Sequence, residues 1–363
     1  MLAAVFVSAM AVWLWRDPHA QVHAEFTRQR WAAGLSLDQV QVADHRWVYA
    51  VREADEPDAP TVVMIHGFTG SKENWYPLAA QLRGRYRLVI PDLPGWGATE
   101  RIQGADYGFV AQGARVAEFI AQVASQPGSE VALLGHSMGG GIAALTAADH
   151  PQSVARLGLF DAAGVRFKDN QFGIDVLDGK NPFAVDDEAS LKRYVDTVFH
   201  VESAKPFIPW PASRALIAWR RQQAPFEQSV LDRIGRSEER FLPGDAAARI
   251  QQPALLLWCK QDAVIDASAM QLFGEKMPQA TQVLLDGCGH MSIMERPQDV
   301  AAAVQLLIKK GEPRSKGWGC CWVPCCCWLP AATVKPSSAR PLLRKRPHRK
   351  LLPGPLRASM TLQ

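Results

Sequence analysis

A serine flanked by glycines, at the point where an apolar run gives way to small residues, has the makings of a nucleophile. Residues 130–150 read EVALLGHSMGGGIAALTAADH. A strand covered on both faces would end at Gly135, and a small-residue helix would follow Met138. Gly135-His136-Ser137-Met138-Gly139 is therefore G-x-S-x-G in the strand–turn–helix setting that the motif requires. So sharp a turn strains the serine backbone, and bulk two residues to either side would strike neighbouring chain. Ser137 would stand at a helix N-terminus, whose dipole favours developing negative charge. The chemistry this suits is nucleophilic attack by an oxygen on a carbonyl.

A serine hydroxyl needs a base to take its proton. His290, in GCGHMSIMERP (287–297), lies in a loop between the last strand-like run and the final helix. Of the other histidines, His136 is in the turn itself, His66 ends a strand, His150 ends a helix and His200 lies in a long insertion. These read as structural. The base in turn needs a carboxylate to fix its tautomer and stabilise the imidazolium. Asp262 in WCKQDAVID (258–266) follows a strand-like run and meets that need. Asp161, after 156–160, and Asp266, one turn beyond Asp262, are the rivals. Asp266 reads better as a cap for a helix starting near Ala267.

Acyl transfer also needs donors for the tetrahedral oxyanion. The residue after the nucleophile, Met138, offers one backbone N–H. The loop His66-Gly67-Phe68-Thr69-Gly70 offers the other, best from Phe68. Both are main-chain groups, so the Phe68 and Met138 side chains are left to shape the pocket.

These residues need a scaffold that brings distant loops to one edge. From residue 45 the chain alternates β-rich runs (46–53, 61–66, 87–92, 130–135, 156–160, 253–259, 281–286) with helical stretches (74–84, 109–126, 138–150, 296–309). Several of the runs are apolar throughout, as in parallel strands buried on both faces. Between 160 and 253 the rhythm breaks. Residues 166–248 hold Phe167, Phe172, Phe183, Phe199, Phe207, Ile208, Trp210 and Trp219, and read as a helical cap with its own core. Such a cap would overlie the carboxyl ends of the strands, where open α/β sheets build their sites.

HGFTGSKENW (66–75), PDLPGWGATE (91–100), GHSMGG (135–140), WCKQD (258–262) and GCGHMSIMERP (287–297) together resemble the α/β-hydrolase superfamily. Within it they are similar to the membrane-anchored monoacylglycerol lipase branch and related bacterial lipases, over about 45–309. The resemblance implies an α/β-hydrolase fold, with a mostly parallel sheet flanked by helices and a cap between the sixth and seventh strands. It implies the order Ser137, Asp262, His290 for nucleophile, acid and base. Relatives that cleave epoxides or carbon–halogen bonds carry Asp at the nucleophile position, and Ser137 argues against both. Two departures stand outside the triad: Cys259 where relatives usually have Gly, and Trp96 where they have His. Cys259 and Cys288 lie beside proposed catalytic residues, either as a disulfide in an exported body or as two buried thiols.

The expected function is a serine carboxylic-ester hydrolase acting on lipid-like esters, monoacylglycerols or medium-chain acyl esters. Hydrolysis of a small aryl ester or of a vinylogous diketone is the alternative, with Arg214, Arg220 or Arg221 gripping a carboxylate. A non-catalytic binding protein would usually have lost a triad member, and here all are present.

Of 363 residues, 48% are hydrophobic and 21% charged, which is ordinary globular composition. The net charge of +4 hides an acidic body and a basic tail. From Lys309 onward there are 12 Lys and Arg against one acid, so the first 308 residues carry a net −7. No basic stripe crosses the folded part, and nucleic-acid binding is not expected. No metal cluster, phosphate loop or dinucleotide fingerprint appears, and no cofactor is expected.

Residues 312–363 hold five of the seven cysteines without paired C-x-x-C knuckles and read as a disordered extension. Residues 2–15 are continuously apolar, about 21 Å as a helix and short of a ~30 Å hydrocarbon core. A cleaved signal ending near Val22-His23-Ala24, an uncleaved anchor and a buried or interfacial helix all fit residues 1–24. The expected domains are that segment, a core of 25–165 and 249–311, the cap and the tail. The expected location is membrane-associated or exported, or cytoplasmic if the first segment is no signal.

Overall fold

A computed structural model describes residues 17, 20–82 and 84–309. The apolar run 2–15 and the tail 312–363 lie outside these residues. Eight strands form one sheet: β1 (Ser36–Val42), β2 (His45–Arg52), β3 (Thr61–Ile65), β4 (Arg87–Pro91), β5 (Val131–His136), β6 (Arg156–Phe160), β7 (Ala254–Cys259) and β8 (Thr281–Leu285). The helices are α1 (Ala20–Ala32), α2 (Tyr76–Gln81), α3 (Phe109–Phe119), α4 (Met138–Asp149), α5 (Gln171–Leu177), α6 (Glu188–Val198), α7 (Ala212–Arg236), α8 (Leu242–Ala246), α9 (Ser268–Lys276), α10 (Ser292–Glu295) and α11 (Pro297–Lys309). Helix α1 begins ahead of the expected cleavage motif and runs through it.

The strand order is β1-β2-β4-β3-β5-β6-β7-β8. Strand β2 pairs antiparallel with β1 and β4, and every pairing from β4 to β8 is parallel. The chain leaves β3 for β4 on one side and returns to β5 on the other. That reversal opens a crevice at the carboxyl ends of β3 and β5, where open α/β sheets bind ligands. Ile65 pairs with Gly135, so the His66 loop and the Ser137 turn leave the sheet side by side.

Why the strands read as unbroken apolar runs is plain from their two faces. Val63 and Ile65 pack on one side with Val116, Ile142 and Phe273, while Val62 and Met64 pack on the other with Leu78, Val304 and Leu307. Alternate side chains point to opposite faces, and helices cover both.

Two features depart from the expectations. Strand β1 had no apolar signature: SLDQVQV is an edge strand with most residues exposed. It joins β2 through Ala43-Asp44, with Ala43 at φ 51°, and this turn lacks the Asn-Gly or Asp-Gly that announces a hairpin. The second concerns the insertion holding α5 to α8 between β6 and β7. Its own cluster is small, centred on Val185, Leu191 and Ile217. Phe172, Val176, Phe183, Val198, Phe199, Val230, Leu231 and Ile234 instead join the sheet-side core. These side chains bury more apolar surface against an existing core than they could against one another.

Candidate active site

Ser137 sits between β5 and α4 at φ 56° and ψ −122°, a strained conformation for a residue with a side chain. Its neighbours explain how so tight a turn packs. A Cβ on Gly135 would lie 2.2 Å from the Gly139 carbonyl oxygen, and one on Gly139 would lie 2.4 Å from that of His66. A Cβ on Gly67 would approach the Ser137 Cβ to 2.9 Å. The two loops therefore touch through glycines. The Ser137 N–H donates to the Phe160 carbonyl (2.9 Å), which ties the turn to the end of β6.

His290, between β8 and α10, reaches back to this turn. Its Nε2 lies 2.9 Å from Ser137 Oγ, and its Nδ1 lies 2.9 Å from Asp262 Oδ2. The other Asp262 oxygen, Oδ1, accepts the Val264 N–H (2.7 Å) and the Ile265 N–H (2.9 Å). All three residues are buried. The acceptor-only carboxylate assigns the proton of the His290 ring to Nδ1 and leaves Nε2 to receive the Ser137 hydroxyl proton. Burial pulls the imidazole down to about 3, so it is neutral at physiological pH and able to act as a base.

The rival carboxylates go elsewhere. Asp161 accepts the Cys259 N–H (3.1 Å) and pairs with the Ser292 hydroxyl, and does not meet His290. Asp266 accepts the Ser268 N–H (2.9 Å) at the head of α9, from one residue before the N-cap, which is Ala267 and not Asp266 itself. Asp161 and Asp262 are both deeply buried. Burial and the neighbouring Asp262 charge push Asp161 up. Burial pushes Asp262 up as well, against the pull of the Ile265 and Val264 amides. Asp262 has two amides and an imidazole N–H; Asp161 has one amide and a hydroxyl that also accepts. That donor balance leaves the charge on Asp262 and the proton on Asp161.

His66 and His136 are engaged structurally. His66 Nδ1–H donates to the Gly67 carbonyl (2.8 Å), while its Nε2 accepts the Leu93 N–H (3.0 Å). His136 Nε2–H donates to the His290 carbonyl (2.7 Å) and so helps to hold the base loop. His150 closes α4, and His200 follows α6. Two contributions were not foreseen: this hold on His290 by His136, and the part played by Glu295, whose carboxylate accepts main-chain amides around the site. Side chains acting on main-chain groups leave no pattern in sequence.

Ser137 and His290 open onto a narrow pocket of about 40 Å³. Phe68, Phe183, Val198 and Met291 supply its apolar walls, and Thr69, Asn74 and Tyr194 its polar ones. The Thr69 and Tyr194 hydroxyls are hydrogen-bonded (2.8 Å), joining the loop after β3 to α6. The Phe68 and Met138 amides have no hydrogen-bond partner among the described residues. Lys72 and Asp92, a buried pair at 2.7 Å, brace the same loop from behind.

None of the three arginines proposed to grip a carboxylate lines this pocket. Arg220 is buried against Glu227 (2.8 Å) and the Phe183 carbonyl (2.8 Å); Arg221 donates to the Asp186 carbonyl, and Arg214 is exposed. Cys259 and Cys288 are joined in a disulfide that ties the end of β7 to the loop bearing His290. No group of three or more metal-ligating side chains occurs among the described residues.

Residues 60–297 match the family described as the alpha/beta hydrolase fold, and the chain belongs to that family. It is an ester-hydrolysing enzyme of the family, as its curated relatives indicate. It is 26% identical over 307 residues to Monoacylglycerol lipase ABHD6 of Rattus norvegicus, covering 82% of this chain and 88% of that one. It is 30% identical over 263 residues to Lipase 3 of Moraxella sp. (strain TA144), covering 70% and 79% respectively. Among solved structures, a membrane phospholipase A described as a bacterial virulence factor superposes with a TM-score of 0.75 at 32% identity, over 85% of this chain and 97% of that one.

Proposed function

We propose that this enzyme hydrolyses lipid-like carboxylic esters, monoacylglycerols or medium-chain acyl esters, through an acyl-enzyme on Ser137. His290 Nε2 takes the hydroxyl proton as Ser137 Oγ adds to the ester carbonyl. Asp262 keeps the imidazole in the right tautomer and balances the imidazolium that forms. The Phe68 and Met138 amides receive the oxyanion. Collapse of the tetrahedral adduct expels the alcohol, which His290 protonates. Water, deprotonated by His290, then repeats the addition and releases the carboxylic acid.

The observation that carries this reading is the continuous chain Asp262–His290–Ser137 at the floor of a pocket walled by Phe68, Phe183, Val198 and Met291. The apolar walls favour an acyl chain over a charged substrate. Helices α5 to α8, which bring Phe183, Tyr194 and Val198 to that pocket, serve as its lid.

The apolar run 2–15 supports association with a membrane, and the disulfide supports an oxidising, exported setting. Among the described residues no helix is long and apolar enough to cross a membrane.

Trapping tests the mechanism. Rapid quenching during turnover of p-nitrophenyl octanoate is expected to give a burst of nitrophenol and an octanoyl mass on the peptide holding Ser137. Steady turnover with acyl mass on another residue would discard the assignment.

A further inference from the structure

Glu295 is a buried carboxylate that takes no part in the chemistry above, yet it joins two parts of the molecule that do. Its Oε1 accepts the N–H of Gly289 (2.9 Å), the residue before His290. Its Oε2 accepts the N–H groups of His200 (2.9 Å) and Val201 (2.6 Å), at the point where the insertion leaves α6. Next to this clamp the Met291 N–H donates to the Val198 carbonyl (3.1 Å), and Val198 lines the pocket. Gly289 makes the approach possible, since a Cβ there would lie 2.8 Å from the His200 nitrogen. One carboxylate thus receives amides from the base loop and from the lid, and all three amides would otherwise be left without it.

We propose that Glu295 is a positioning residue that couples the lid to the base, so that the seat of α6 over the pocket and the orientation of the His290 ring are set together. The inference rests on the proposed roles of Ser137 and His290. A shift of the lid at Val198–Val201 moves the anchor of the Gly289 peptide, and with it the imidazole that must lie within hydrogen-bond reach of Ser137. The His136 bond to the His290 carbonyl holds the other side of the same residue, so the loop can tilt but not detach.

Glu295→Gln keeps the volume but leaves one carbonyl oxygen where two oxygens served. It can satisfy the base loop or the lid, not both, and its NH2 then faces amide donors. Val201→Pro removes one lid amide without touching the site; the φ of −80° at Val201 is already close to that of proline. The test uses the full chain, a fluorophosphonate probe that phosphonylates an activated serine with loss of fluoride, and amide exchange followed by mass spectrometry.

We expect Glu295→Gln to label about tenfold more slowly than wild type, the cost of one charge-assisted hydrogen bond, and Val201→Pro to slow labelling by a smaller factor. In both variants exchange should quicken jointly in peptides covering 199–203 and 287–293, with 131–136 unchanged. Joint quickening with wild-type labelling in both variants would overturn the coupling, as would exchange that rises on one side only. If Glu295→Gln does not fold, Val201→Pro alone decides. Absence of labelling in wild type would be a failure of the serine reading, and the exchange result would still judge the clamp.

Discussion

At the scale of single residues, the site is defined by which carboxylate meets His290. Asp262 does so with three donors on its oxygens, whereas Asp161 is held by one amide and a hydroxyl. The two buried acids are thereby split into a charged partner for the base and a neutral neighbour. Asp262→Asn is expected to lower kcat by about a thousandfold or more, because an amide cannot fix the imidazole in the same tautomer. Asp161→Asn, which mimics the protonated acid, should leave kcat within about tenfold of wild type. Steady-state kinetics on one soluble ester settles both, and the reverse ranking would transfer the role to Asp161. Ser137, His290 and Asp262, which the structure brings together, were legible as candidates in the sequence because each stands in a motif with a defined place at a strand end. Glu295 and His136 were not, since they act on main-chain groups that any sequence supplies.

At the scale of elements, the sharp turn after β5 depends on what its glycines leave out. A Cβ on Gly139 would lie within 2.5 Å of the Ile65 and His66 carbonyl oxygens, and backbone cannot move aside as a flexible side chain would. Gly139→Ala is expected to destabilise the protein by about 1–3 kcal/mol and to slow turnover as Ser137 shifts. Unfolding in urea together with kcat would show this; a variant unchanged in both would remove the steric account of the motif. The disulfide acts on the loop beside it. It closes a separation of 29 residues between β7 and the His290 loop, and its removal by paired Ser substitution should cost about 3–4 kcal/mol. A melting temperature unaffected by the double substitution would contradict that. The six buried or half-buried strands β2 to β7 were legible from their apolar positions, and β8 because of VLL before Asp286. Strand β1 was not, since an edge strand with polar side chains and an unsignalled turn has no hydrophobic period to show.

At the scale of the whole molecule, burial of histidines links stability to pH. His136 and His290 are both brought down to about 3, and burial lowers His66 as well. An unfolded chain takes up protons at these three positions near pH 6.5 while the native state does not. Their contribution is therefore complete above pH 6.5 and is lost as pH falls below it. Asp161 and Glu227, raised by burial, work in the opposite direction, as they keep protons in the native state that the unfolded chain releases. The histidines titrate higher in the unfolded chain, so we expect the melting temperature to fall steadily from pH 7 to pH 5. A flat or rising profile would show that the acids dominate.

The arrangement as a whole is a strained serine, a neutral buried histidine and a pocket lined in part by Phe183, Tyr194 and Val198 from the segment inserted before β7. We propose that these act together on esters with a medium-length acyl group. We would measure kcat/KM for the full chain and for Ser137→Ala across p-nitrophenyl esters from C2 to C16 and across monoacylglycerols. Rates are expected to rise from acetate to medium chains, the matching glycerol esters to be hydrolysed, and all of this activity to be lost in the variant. Ser137-dependent activity that peaks at acetate and ignores glycerol esters would contradict the lipid assignment, and activity that survives in Ser137→Ala would contradict the site.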